Sequence, residues 1–126
     1  MQYLRILKND INYRLLAIDS LPALEVVADF QKPRVELFRF FESIRALEVT
    51  TLFITEMSLD SKSYGKYGEE FLADGIINLK TEEISEVKTQ RRIKCVKMRN
   101  SLHSTDWYAL FASDGKLHTT EIITES

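Results

Sequence analysis

Apolar residues fall along this chain in two rhythms. Between Arg34 and Glu48, the residues Leu37, Phe38, Phe41, Ile44 and Leu47 recur at helical spacing, with Glu36, Arg39, Glu42 and Arg45 mostly opposite. That spacing predicts an amphipathic helix. Pro33 suits its first turn, where a missing N–H costs nothing. Leu4, Leu7 and Ile11 share a helical face within residues 1–12, with Lys8 and Asp10 off it, which predicts a short helix. Residues 13–19 run apolar without alternation, the pattern of a strand buried on both faces of a parallel sheet. Residues 20–32 read as a loop or short helix. The β-branched run Thr50-Thr51-Leu52-Phe53-Ile54-Thr55 predicts the next strand. The first half is thus helix, strand, helix, strand, with a right-handed crossover.

The second half changes character. Leu59 to Tyr67 is polar, with glycines nearby, and reads as a mobile loop. Glu69 to Ala73 is long enough for one helical turn. Gly75 opens a strand, Ile76-Ile77-Asn78-Leu79-Lys80, and the charged residues 81–90 read as a solvent-facing hairpin connection. Further strands are predicted over 91–99, 107–112 and 117–123. The last two are separated by Ser113-Asp114-Gly115-Lys116, whose Asp-Gly suits positive φ. The expected fold is α/β: one mixed sheet, parallel strands first and antiparallel strands toward the C-terminus.

Composition narrows the field. At 126 residues, 44% of them apolar, one domain with a real core is expected. A net charge of −2 gives no reason to expect bulk attraction to nucleic acid or membranes, although a local basic patch is compatible with it. Cys95 is the single cysteine, which rules out an intrachain disulfide and points to a reducing cytoplasm. It sits in an apolar strand pattern and reads as a core residue. The N-terminus lacks the pattern of a signal peptide, and no apolar run approaches the roughly 20 residues needed to span a bilayer.

Three groups of residues could carry chemistry. Asp19-Ser20 ends the first apolar strand, where open α/β sheets bind ligands and where such an Asp can hold Mg²⁺. The same pair also reads as a polar strand end that caps the next turn. Thr55 and Glu56 end the second strand at the same edge. Lys97 and Arg99, two positions apart in a strand, should share a face about 7 Å apart. Paired cations call for an anion or a carboxylate between them, and a forked guanidinium suits phosphate. His103 follows in a loop and could add a donor, while Lys94 argues for an ordinary solvated basic face. Lys62, Tyr64, Lys66 and Tyr67 mix charge and rings in the manner of single-strand binding, or form an ordinary loop. His118 has no Cys or His neighbour and does not suggest a metal.

One motif is missing from these residues. None of Gly65, Gly68, Gly75 and Gly115 lies in a G-x-x-x-x-G-K-[ST] loop, whose backbone N–H groups cradle phosphates.

Taken in order, the motifs are Leu15-Leu16-Ala17-Ile18-Asp19-Ser20-Leu21, a helix, Thr51-Leu52-Phe53-Ile54-Thr55-Glu56, Glu69-Glu70-Phe71-Leu72-Ala73-Asp74-Gly75-Ile76-Ile77-Asn78-Leu79, then Lys97-Met98-Arg99. This order resembles the C-terminal part of a KaiC-type ATPase domain of the RecA-like superfamily, over residues 14 to 123. The resemblance implies a partial RecA-like fold, a single truncated domain over 1–126 without the phosphate-loop half. It implies that Asp19 is the Mg²⁺-associated acid ending the Walker B strand, and that Thr55 and Glu56 are the polar pair ending the strand beside the phosphate loop. Lys97, Arg99 and His103 match residues that reach ATP bound by the neighbouring subunit. Asn100 departs from the glycine that usually follows Lys-Met-Arg. The family's phosphate-loop strand lies between the strands of residues 50–55 and 75–80, so those strands are expected either to pair directly or to recruit another chain. With the apolar stripe of residues 37–47, this favours a homo-oligomer or a RecA/KaiC-like partner. The implied activity is that of a non-catalytic interaction or regulatory module, with ATP and Mg²⁺ engaged only where a partner supplies the phosphate loop. The alternatives are the C-terminal half of a composite ATPase or a single-strand-binding remnant. Neither a membrane nor nucleic acid is the expected partner.

Overall fold

In the computed structural model, residues 1–57, 63–65 and 67–123 are described. They form α1 (Gln2–Ile11), β1 (Leu15–Asp19), α2 (Leu21–Ala28), α3 (Pro33–Arg45), β2 (Thr50–Ile54), α4 (Glu69–Leu72), β3 (Gly75–Ser85), β4 (Lys88–Met98), β5 (Tyr108–Ser113) and β6 (Lys116–Glu121). Two compact units divide the chain, Met1–Leu72 and Ala73–Ser126.

The first unit is a parallel βαβ arrangement. β1 pairs with β2 in parallel, Leu15 opposite Thr50 and Asp19 opposite Ile54. Leu21 and Leu37 are fully enclosed and form the core with Phe41. Phe53 of β2 stacks on Phe41 with ring centroids 4.8 Å apart and meets Phe40 edge-on at 6.0 Å. Leu37, Phe41, Ile44 and Leu47 are all buried, so most of the predicted stripe is covered within the chain. That stripe is therefore no argument for an oligomer, although Phe38 remains exposed. Helix ends follow local chemistry. Ser20 Oγ accepts the Ala23 N–H at 3.4 Å with Pro22 in the first turn of α2. In α3, Glu36 accepts the Lys32 N–H at 2.9 Å. After α1, Tyr13 Oη donates to Leu4 O at 2.9 Å and Lys8 Nζ donates to Tyr13 O at 2.6 Å. β1 is not buried on both faces as expected. Phe53 faces the aromatic core, but Leu15, Leu52 and Ile54 on the opposite face are each about half exposed.

The second unit is a four-stranded antiparallel meander, β3-β4-β5-β6. This corrects the expectation of one mixed sheet, because β1-β2 and β3–β6 form separate sheets. β2 and β3 therefore do not pair directly. The charged stretch 81–90 is also not a connection. β3 runs to Ser85 and β4 starts at Lys88. Thr81 faces Arg91, Glu82 faces Gln90 and Glu83 faces Thr89. Backbone ladder bonds and cross-strand polar pairs sustain this ribbon without burial. Asp114 and Gly115 take φ of 54° and 73°, which explains the tight β5–β6 turn.

Candidate functional site

The candidate residues fall into two groups, one in each unit. In the first, Asp19 is the last residue of β1 and is exposed. Ser20 beside it caps α2, so the capping reading of this pair holds for Ser20 and leaves the Asp19 carboxylate in solvent. Thr55 and Glu56 follow β2 directly. Together with Pro22, Glu25, Val26, Tyr67 and Glu69 they line a cleft of about 280 Å³. Asp19 does not line it, so the structure brings Thr55 and Glu56 together in a cleft that omits Asp19.

Sequence reasoning missed the floor of this cleft. Glu69 is only 7% exposed, and its Oε2 accepts the Tyr67 N–H at 2.8 Å. Ser63 Oγ donates to Gly65 O at 2.6 Å and to Glu70 Oε1 at 3.1 Å. A Cβ on Gly65 would collide with the carboxylates of Glu69 and Glu70. The described part of the loop is therefore tied down, and Tyr67 packs against the core rather than standing free for a base. Lys62 and Lys66 lie outside the described residues. The signal was present in Glu69-Glu70 following Gly68, but nothing local says that a Glu should turn inward.

In the second unit, Lys97 sits on β4 opposite Ile76 and Met98 opposite Gly75. Arg99 lies one residue past the strand. Its N–H donates to Asp74 O at 2.8 Å, and Nη1 meets Asp74 Oδ1 at 3.2 Å. Asp74 is thus the carboxylate that a cationic pair calls for, at an open site with side chains 72% and 43% exposed for Asp74 and Arg99. Asn100 adopts φ of 59°, a left-handed conformation open to Gly and, more than most residues, to Asn. The departure from glycine is therefore conservative in shape. His103 is exposed in the following loop, its Nδ1 3.0 Å from Ser104 O.

A family model, the KaiC ATPase, matches residues 1–121. This chain belongs to the KaiC ATPase family. A UPF0273 protein of Methanopyrus kandleri is 30% identical over 99 residues, covering 76% of this chain and 37% of that protein. The circadian clock oscillator protein KaiC of Prochlorococcus marinus subsp. pastoris is 32% identical over 90 residues, covering 70% of this chain and 18% of that one. The crystal structure of a KaiC-like protein from Pyrococcus horikoshii superposes with a TM-score of 0.79 at 27% identity, covering 95% of this chain and 52% of that one. The RecA-like architecture expected from the sequence is therefore present, parallel strands first and antiparallel strands after. The chain spans well under half the length of the curated relatives it matches.

The matched family is described as an ATPase, and each unit separately carries groups of a chemistry that ATP or Mg²⁺ would need. Mg²⁺ binds through one or two carboxylates plus substrate phosphates, and the exposed Asp19 carboxylate suits one such place. Lys97 and Arg99 carry phosphate-matched donors. Among the described residues no three His, Cys, Asp or Glu side chains converge as a ligand group, so a metal here would depend on phosphate oxygens for the rest of its shell. Among the described residues no helix is long and apolar enough to cross a membrane.

Proposed function

We propose that this chain does not turn over ATP by itself and acts as a KaiC-type module that presents Lys97, Arg99 and His103 to nucleotide held by another polypeptide. The observation that carries the reading is the position of Arg99. It stands at the open end of β4, held at 3.2 Å by an exposed carboxylate. An exposed ion pair is worth about 1 kcal/mol or less, so a phosphate that offers two acceptors to the guanidinium fork can replace Asp74 at small cost. Lys97 would add charge and His103 a donor. No phosphate loop occurs in these 126 residues, so its backbone N–H donors must come from elsewhere.

A second reading is a composite ATPase whose phosphate-loop half comes from a separate segment. The half-exposed apolar face of Leu15, Leu52 and Ile54 favours it, because parallel sheets are normally covered on both faces. One experiment separates the two. The chain is mixed with a phosphate-loop-bearing KaiC-type relative, and complex formation is followed by sedimentation alongside ATP turnover. The module reading expects a mixed complex with altered turnover of the relative's own site. The composite reading expects turnover from a phosphate-loop fragment that is inactive alone. Neither complex nor changed turnover contradicts both.

A further inference from the structure

One face of the antiparallel sheet gathers cations around aromatic rings, and strand register fixes which face. Lys80 lies opposite Arg92, and Arg92 opposite Ala109. Alternation puts Lys94, Trp107 and Phe111 on the same side, and His118 joins them as the partner of Phe111. Side-chain geometry agrees with the register. Lys80 Nζ is 4.3 Å and Lys94 Nζ 5.7 Å from the Trp107 ring centroid. Phe111 and His118 stack with centroids 5.4 Å apart and 22° between their planes.

This arrangement runs against the rest of the molecule. The chain carries a net charge of −2, yet Lys80 and Arg92 stand directly opposite each other across two strands. Like charges so placed are destabilising. Glu82 meets Lys80 at 3.2 Å, while Arg92 Nε donates to Gln90 Oε1 at 2.9 Å, a neutral partner. One carboxylate and one ring are set against three cations on this face, so the balance still favours an anion above the sheet, and the flat rings beside it restrict which anion.

We infer that this face binds single-stranded nucleic acid, with phosphates over Lys80, Arg92 and Lys94 and bases stacked at Trp107 and Phe111. Stacking on aromatic rings requires bases freed from a duplex, and a four-stranded sheet bearing rings and cations is a proven platform for it. Trp107 stands one residue before β5 and Phe111 within it, four residues apart and about 13 Å in extended chain, which gives two separate stacking positions. This inference uses none of Lys97, Arg99 or His103 and does not depend on the nucleotide reading.

Trp107 is the single tryptophan of the chain and reports directly on stacking. The intact chain is titrated with a short oligothymidine and with an abasic oligomer of equal charge, following Trp107 fluorescence and, with end-labelled oligomers, anisotropy. Saturable quenching by oligothymidine at low salt is expected. Neutralising three phosphates on a single strand should give a slope of log affinity against log salt of about −2, reduced by about 0.7 in Lys94→Gln. The abasic oligomer should bind about tenfold more weakly without quenching, and Phe111→Ala should cost oligothymidine a similar factor. Lys80→Gln serves as a second charge variant, with folding of each checked by circular dichroism. Absence of saturable binding at low salt overturns the inference. So does equal affinity for the two oligomers, which would mark a site for anions alone.

Discussion

The two units of this chain are stabilised in different ways. Met1–Leu72 rests on a packed aromatic and aliphatic core, with Leu37 fully enclosed and Phe53 wedged between Phe40 and Phe41. Ala73–Ser126 rests on hydrogen-bond ladders, and only Ala109 in it is fully buried among the described hydrophobics. The chemistry divides the same way. The first unit offers carboxylates at its strand ends, Asp19 and Glu56, and a buried one, Glu69, at the start of α4. The second offers cations, Lys97 and Arg99 at one end of β4 and Lys80, Arg92 and Lys94 across its face.

The largest effect should come from the core. Leu37→Ala removes a side chain with no exposure and should cost about 2–5 kcal/mol. Amide exchange should then accelerate in β1 and β2 while the β5–β6 ladder keeps its protection. Equal loss in both units would break the contrast drawn above. Next comes the β5–β6 turn. Gly115→Ala meets no steric contact but must hold φ at 73°, so about 1 kcal/mol is expected, read as a lower denaturation midpoint with unchanged slope. Ser20→Ala removes an exposed cap with a long 3.4 Å bond, and should fall at the low end for caps, about 0.5 kcal/mol. Asp74→Asn should be the smallest, below 1 kcal/mol, because the ion pair with Arg99 is exposed. A larger loss from Asp74→Asn would mean that the pair is structural rather than a displaceable placeholder for phosphate.

Much of the first unit was legible from local pattern. The stripe from Leu37 to Leu47 gives α3, Pro33 starts it, and Asp114-Gly115 gives the β5–β6 turn in the second unit. What failed was non-local. A run of charges at 81–90 looks like a connection because hydropathy says nothing of cross-strand partners, and those partners carry the strands to Ser85 and from Lys88. The division into two sheets is likewise a matter of which edges meet. At the candidate site, the strand ends at Asp19, Thr55 and Glu56 were readable from the apolar runs before them. Asp74 was not read as the partner of Arg99, because 25 residues separate them in sequence. The inward turn of Glu69 was equally hidden, since its partner is a backbone N–H formed only by the loop's own fold.

The central claim is that Arg99 acts on nucleotide bound elsewhere. The most direct measurement is ATP turnover by a phosphate-loop-bearing KaiC-type relative, titrated with this chain and, in parallel, with Arg99→Ala. The account predicts that the native chain changes turnover saturably and that Arg99→Ala still joins the complex but loses most of that change. Identical effects from the two chains would contradict it.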